Sequence, residues 1–113
     1  MESGKFIGLL FQSRDAMHIA HLQTRSFAEH KALNHYYDSI LDLTDSFTEA
    51  YFGRSGRCKI SIPPAELVDP VTHLNEMQKL IEAERVNYPS DLQNIMDEML
   101  GLVNKVLYLL TLS

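Results

Sequence analysis

A chain of 113 residues with 45% hydrophobic and 22% charged side chains has the size and composition of one folded domain, so residues 1–113 are treated as a single domain. The net charge of −5 at pH 7 and the scattered Lys and Arg residues argue against a nucleic-acid partner. No segment is long and apolar enough to span a membrane. The single Cys58 suits a reducing compartment. These features predict a cytoplasmic protein.

Four segments have apolar residues at the spacing that predicts helices, and almost nothing alternates like a strand. The first helix is predicted from about Lys5 to Thr24. The second follows Ser26, an expected N-cap with Glu29 three residues later as its capping-box partner. We expect it to end at Gly53, since glycine commonly stops a helix.

The third and fourth helices have clear start signals. Asp69 is the expected N-cap of the third, Pro70 occupies its first position, and the sequence NYPS closes it. The fourth begins at Ser90 and is apolar over a wide arc, so we expect it to be the most buried helix. Together the four segments predict an all-α four-helix bundle.

The connection between the second and third helices leaves two topologies open. The ten residues from Gly53 to Ile62 could span roughly 33 Å if extended. The third helix is predicted to be only roughly 25 Å long. This linker could therefore cross the whole bundle, or it could form a compact loop that gives simple up-down order.

Histidines and carboxylates on the second helix point to metal binding. Asp45 and Glu49 lie one turn apart, so both could reach one ion. His30 lies within about 60° of Asp45 around the helix, but roughly 22 Å away along its axis. No single ion within one chain can therefore contact both His30 and Asp45.

A two-fold axis would remove this difficulty. If the second helices of two copies pack antiparallel, His30 of one chain faces Asp45 and Glu49 of the other. The helices would cross near Tyr37–Ile40, which is aromatic and apolar as an interface core requires. His21 could approach the same place from the first helix. Two imidazoles and two carboxylates suit iron(II), with zinc or manganese as alternatives.

The residues in this region resemble a known family. "HLQT" and "SFAEH", followed by an Asp and a Glu, look like the pattern of the Dps-type mini-ferritins. The spacings from His30 to Asp45 and from Asp45 to Glu49 match that pattern, and "GRSG" follows where the family has a glycine-rich helix end. The chain is also similar to small ferritin-like proteins of unassigned role carried by bacteriophages.

The resemblance implies a four-helix ferritin-like bundle that forms a homodimer or a higher homo-oligomer. It implies an iron site between subunits, with metal ligands His21, His30, Asp45 and Glu49, and oxidation or sequestration of iron as the activity. His18 competes with His21, because aligning His21 requires a short deletion. The family's further carboxylate corresponds to Asn34.

Other interpretations of the same residues remain open. Polar side chains on amphipathic helices are usually only solvated, so the alternative function is a metal-free helical bundle that acts as a protein-interaction module. His35 is predicted to be exposed, and Tyr36 is predicted to pack. His73 and Glu76 have the residue types of a di-iron motif in reversed order. No Ser–His–Asp arrangement is indicated by spacing, and no phosphate-binding loop is present.

Overall fold

The computed structural model describes residues 1–113 as four α-helices with no strand. The helices are α1 (Ser3–Gln23), α2 (Phe27–Ser55), α3 (Pro70–Arg85) and α4 (Ser90–Leu110). The predicted all-α class and the four helices are therefore confirmed, and each helix starts within two residues of its predicted position. None of the four has the combination of length and apolar character needed to cross a membrane.

A tight turn joins α1 to α2. The Thr24 hydroxyl accepts a hydrogen bond from the Ser26 amide, and the Ser26 hydroxyl caps α2 by accepting from the Glu29 amide at 3.1 Å. Such a short connection makes α1 and α2 antiparallel neighbours. α2 continues two residues beyond the predicted stop at Gly53. The glycine that ends it is Gly56, whose φ of 84° lies in the left-handed region.

The start of α3 is fixed by Asp69, as predicted. Its carboxylate accepts hydrogen bonds from the Thr72 amide at 3.0 Å and from the Thr72 hydroxyl at 2.9 Å. These bonds, led by the amide, lower the pKa of Asp69 because they stabilise its charged form. After a short turn, α4 packs back against α3, and Arg85 binds both carboxylate oxygens of Asp97 at 2.7 and 3.1 Å.

The linker between α2 and α3 runs along α1 in the same direction as the helix. The Ser61 amide donates to the Gly4 carbonyl at 3.4 Å, and further along the Gln12 side chain donates to the Pro64 carbonyl at 3.0 Å. The linker therefore crosses from one end of the bundle toward the other. Of the two topologies left open by the sequence, this is the long crossover.

Two glycines on α1 allow this close contact. A Cβ atom at Gly4 would overlap the carbonyl oxygen of Lys59, and one at Gly8 would overlap the carbonyl oxygen of Ser61. Because both neighbours are backbone atoms, a side chain at either position would push the linker away from the helix. Gly4 and Gly8, four residues apart, thus form a flat track on α1 that the linker occupies.

The crossover sets the order of helices around the bundle. α4 runs antiparallel to α2, as the ion pair between Arg54 and Asp91 indicates, and α3 runs antiparallel to α1, where His73 reaches Ser13. α2 packs against α1 and α4, and α3 packs against α4 and α1. α2 and α3 are therefore parallel and lie diagonally across the core.

One hydrophobic core of 22 buried residues extends through all four helices. At one end, Phe6, Phe47 and Tyr88 meet edge to face, with ring centroids 5.5 and 5.2 Å apart. The prediction that α4 is the most buried helix is wrong. α1 buries ten of its 21 residues and α4 seven of its 21, because the linker covers α1 on a further side.

Candidate functional site

The tight turn between α1 and α2 brings two of the predicted ligands together. His21 lies in the last turn of α1 and His30 in the first turns of α2, and their rings stack with centroids 3.6 Å apart. Nδ1 of His21 bonds the carbonyl of His30 at 2.6 Å, and Nδ1 of His30 bonds the carbonyl of His21 at 2.8 Å. A carbonyl only accepts, so both Nδ1 atoms carry hydrogen and donate.

These paired hydrogen bonds leave the second nitrogen of each ring available. Neither Nε2 forms a hydrogen bond within the chain, and the only buried side-chain atoms without a partner are Arg14 Nε and Thr48 Oγ1. The Nε2 atoms of His21 and His30 therefore reach solvent. The ring planes differ by only 18°, so their in-plane lone pairs run in separate layers and do not converge on one ion.

His18, the competitor for His21, has a different contact. Its ring stacks on Tyr37 at 4.1 Å and lies 5.9 Å from the ring of His21. The Arg14 guanidinium also approaches Tyr37, 5.6 Å from the ring centroid. Tyr37 is thus enclosed by side chains of α1, and His21, not His18, is the histidine that pairs with His30.

The predicted carboxylates lie elsewhere on α2. Asp45 and Glu49 are exposed, and neither takes part in an ion pair within the chain. Fifteen residues separate His30 from Asp45, which is roughly 22 Å along the helix. No group of three or more His, Cys, Asp or Glu side chains within one chain is placed to hold a metal ion. Any site that joins all four predicted ligands therefore requires a second copy.

The charged side chains on the exposed face of α2 are distributed unevenly along the helix. Its first turns carry Lys31, the half-buried Glu29 and the half-buried His35, which was predicted to be exposed. From Asp38 onward it carries four exposed carboxylates at helical spacing, Asp38, Asp42, Asp45 and Glu49, with the exposed Arg54 in its last turn. An antiparallel copy of the same helix would place Lys31 of one chain against the acidic stretch of the other.

The expected interface core at Tyr37–Ile40 needs correction. Ile40 is fully buried in the chain's own core, and so is Tyr36, which confirms that Tyr36 is a packing residue. The apolar residues of this stretch already face α1 and α4, because α2 has neighbours on both sides. What faces outward near the expected crossing point is Asp38, so a contact between copies here would be polar.

One polar group in the core was missed by the sequence analysis. The fully buried Ser13 hydroxyl lies 2.7 Å from the Tyr36 hydroxyl and 2.7 Å from Nε2 of His73. The available signal was the position of Ser13 between Leu10 and Met17, at the three- and four-residue spacing of the buried side of α1. Because its oxygen is enclosed, Ser13 cannot act as a nucleophile toward a substrate in solution.

Comparison with known proteins places the chain in a different family from the one the sequence pattern resembled. Residues 21–110 match the model described as "Family of unknown function (DUF5856)". A protein of Enterobacteria phage T4, described as "Uncharacterized 14.6 kDa protein in mobD-ri intergenic region", is 31% identical over 116 residues, which cover 99% of this chain and 90% of the phage protein. No solved structure matches the chain.

The resemblance to the Dps-type mini-ferritins is therefore wrong as an assignment of family. The match to the other family spans all four residues on which the resemblance depended, His21, His30, Asp45 and Glu49. Histidines and carboxylates at helical spacings occur on many amphipathic helices without common ancestry, which explains the coincidence. By the match over most of its length and by its phage relative, the chain belongs to the Family of unknown function (DUF5856).

Proposed function

We propose that two copies of this chain associate through antiparallel α2 helices and bind a divalent transition metal, iron(II) first, at two sites between them. In each site, His21 and His30 come from one chain, and Asp45 and Glu49 come from the other. The proposal rests on the contacts within one chain described above and does not depend on family membership.

The observation that carries the proposal is the orientation of the histidine pair. Each Nδ1–H is held by a backbone carbonyl while Nε2 reaches solvent. A metal-binding histidine usually has this arrangement, because a hydrogen bond at one nitrogen fixes the tautomer and aims the lone pair of the other. An imidazole that served only for packing would not need its second nitrogen open.

The uneven distribution of charge along α2 supports antiparallel association of two copies. In an antiparallel pair centred near Asp38, Lys31 of one chain lies opposite Asp45 of the other, so unlike charges meet on both sides of the axis. Asp38 itself meets its own copy near the axis and opposes the association. The metal ions would offset the remaining negative charge of Asp45 and Glu49.

The stacked geometry favours two ions at each site. Because the lone pairs of His21 and His30 do not converge, each imidazole serves a separate ion, and Glu49 can bridge the two with its two oxygens. Two iron(II) ions could each give one electron to a peroxide, which takes up two protons and leaves as two water molecules. The minimal function is binding or sequestration, with this oxidation as the reaction to test.

The bundle's connections are compatible with this role. A single long crossover between two antiparallel helix pairs is a connection that ferritin-like bundles also use, and we propose the same arrangement for this chain without membership of that family. The likeness concerns helix order alone, and function depends on the side chains at the site.

Metal uptake tests the proposal. Protein dialysed against iron(II) without oxygen is expected to retain metal, measured by elemental analysis, and to sediment as a dimer. Asp45→Asn with Glu49→Gln should reduce retained metal to background. The matched control, Glu82→Gln with Glu98→Gln, removes the same charge from exposed positions on α3 and α4 and should retain as much metal as the unaltered chain.

Two results would contradict the proposal. One is equal metal retention by both double variants, which would place bound metal elsewhere. The other is a monomer at every concentration with metal present, because one chain cannot bring the four ligands together.

Exposed apolar side chains favour a second candidate, the metal-free interaction module. Leu22 and Phe27 flank the turn between α1 and α2 and are 68% and 73% exposed. They form an apolar tip that another protein could cover. If the protein takes up no iron, zinc or manganese on dialysis, metal binding is contradicted and the interaction module becomes the proposed function.

A further inference from the structure

A groove apart from the histidine pair lies where the linker and α3 meet α1. Its volume is about 590 Å³, within the range of small-molecule sites. Leu9 and Ala16 of α1 form one wall, Met77 and Leu80 of α3 form the opposite wall, and Pro63 of the linker closes one side. Most of its lining is thus apolar, as in sites that bind the body of a small organic molecule.

His73 is the polar group that connects this groove to the core. It lines the groove, and its Nε2 lies 2.7 Å from the hydroxyl of Ser13, which in turn lies 2.7 Å from the hydroxyl of Tyr36. Ser13 and Tyr36 are completely buried, so neither hydroxyl has water as an alternative partner. Two hydrogen bonds therefore link the three side chains in a row, with Ser13 in the middle.

The burial of Tyr36 fixes the direction of these hydrogen bonds. Ser13 is the only hydrogen-bond partner of the Tyr36 hydroxyl, and burial raises the pKa of this phenol, so its hydrogen is retained and must go to Ser13. Ser13 then donates its own hydrogen to Nε2 of His73. In the reverse direction the buried Tyr36 hydrogen would have no acceptor, and if Ser13 accepted from both neighbours its own buried hydrogen would have none. Either arrangement costs about 1–3 kcal/mol.

This direction determines the tautomer of His73. An Nε2 that accepts from Ser13 carries no hydrogen, so the ring's hydrogen is on Nδ1. Nδ1 forms no hydrogen bond within the chain and is not among the buried atoms that lack a partner, so it reaches solvent, and His73 itself lines the groove. Burial also lowers the pKa of His73 and so favours the neutral ring. The nearby charge of Glu76 has a smaller, opposite effect.

The other charged groups of the groove restrict its ligand. Glu66 and Glu76 are the only ionisable side chains besides His73 in the lining, and no Lys or Arg is present. Anionic head groups are therefore repelled by both carboxylates. A neutral oxygen acceptor meets no such repulsion and can accept from Nδ1–H of His73.

We propose that this groove binds a small, neutral, largely apolar molecule whose carbonyl or ester oxygen accepts a hydrogen bond from Nδ1–H of His73. Ser13 and Tyr36 act as positioning residues, since they hold the donor tautomer without touching the ligand. The groove and its ligand are independent of the metal proposal, because none of the four proposed metal ligands lines it.

Three probes with the same apolar chain and different head groups test the proposal. Methyl octanoate is neutral and offers an acceptor, octanoate is anionic, and octylamine is cationic and offers donors. Titration of the labelled protein, followed by NMR shifts of the Ala16 and Leu80 methyl groups and of the His73 ring, should give saturable binding that is tightest for methyl octanoate. Tighter binding of octylamine or octanoate, or no binding of any probe, would overturn the proposal.

The positioning role needs a variant that leaves no buried hydroxyl unpaired. Ser13→Ala with Tyr36→Phe removes both hydroxyls together, so folding should persist. We expect methyl octanoate to bind about fivefold more weakly to this variant, the effect of one ordinary hydrogen bond. Octane, which has no acceptor, should bind both proteins equally. An equal loss for octane and the ester would show that the two hydroxyls only shape the groove, and would overturn the donor assignment.

Discussion

The buried hydroxyls of Ser13 and Tyr36 depend on each other unequally. Ser13→Ala leaves the Tyr36 hydrogen without an acceptor, so we expect the free energy of unfolding to fall by about 1–3 kcal/mol. Tyr36→Phe leaves Ser13 with His73 as its acceptor, and we expect a smaller loss of about 0.5–1.5 kcal/mol. Urea unfolding of both single variants and the double variant measures this, and strictly additive losses would contradict it.

His73 should make stability depend on pH. Burial lowers its pKa in the folded chain below the unfolded value of 6.5, so the unfolded chain binds the proton first as pH falls. Its contribution to stability is complete above about pH 6.5 and is lost as pH falls through the lower folded pKa. Comparing urea unfolding at about pH 8 and about pH 5, the unaltered chain should lose more stability than His73→Gln. Equal losses would contradict this assignment.

At the residue scale, the sequence anticipated the approach of His21 to His30 but not the buried contact between Ser13 and His73. The approach of His21 toward His30 follows from two helices joined by a tight turn, and spacing alone is enough to anticipate it. The contact between Ser13 and His73 joins residues sixty positions apart in the chain. It depends on how α3 docks against α1, which no local pattern records.

The glycine track is an element-scale feature with a sharp test. Gly8→Ala places a methyl group against the backbone of Ser61, so we expect destabilisation of about 1–3 kcal/mol from the displaced linker. Gly101→Ala is the matched control at an exposed position of α4, where no atom beyond the adjacent helix backbone lies within 4 Å of the added Cβ. It should stabilise the fold by about 0.5–1 kcal/mol, because alanine is the better helix former. If Gly8→Ala stabilised the chain as much as Gly101→Ala, the close contact between Gly8 and the linker would be contradicted.

The starts of the helices were predictable because their signals are local. Ser26 and Asp69 cap the helices that follow them, as their side-chain chemistry predicts. The path of the linker was not predictable, since an extended segment has no periodicity and both topologies fitted its length. The same linker made the expectation for α4 wrong, because it buries part of α1 that the apolar pattern alone did not reveal.

The proposed dimer should be limited by Asp38. In the antiparallel pair this carboxylate meets its own copy near the two-fold axis, so Asp38→Asn should tighten the dimer roughly two- to fivefold by removing like-charge repulsion. Glu98→Gln, an exposed carboxylate on α4, is the control and should leave the dimer constant unchanged. Sedimentation equilibrium measures both. A weaker dimer for Asp38→Asn would place the contact on another face.

At the scale of the whole molecule, sequence reasoning had the least to work with. A two-fold axis joins residues that no intrachain spacing relates, so the pairing of His30 with Asp45 and Glu49 remains a proposal. The family resemblance failed because four residues of three types, related by two helical spacings, are too few to identify a lineage. The four-helix architecture survived that error because it depended on periodicity along the chain.

Mixing two variants that each lack half of the proposed ligands tests whether two chains together form the metal site. His21→Gln with His30→Gln removes the imidazoles, and Asp45→Asn with Glu49→Gln removes the carboxylates, so each variant alone should retain no iron. After mixing at equal amounts and exchange of subunits, half of the dimers are mixed and each has one complete site of two. Retained iron, measured by elemental analysis after dialysis, should therefore recover to about a quarter of that of the unaltered protein. No recovery in mixtures that demonstrably exchange subunits, or full retention by either variant alone, would contradict a metal site shared between two copies.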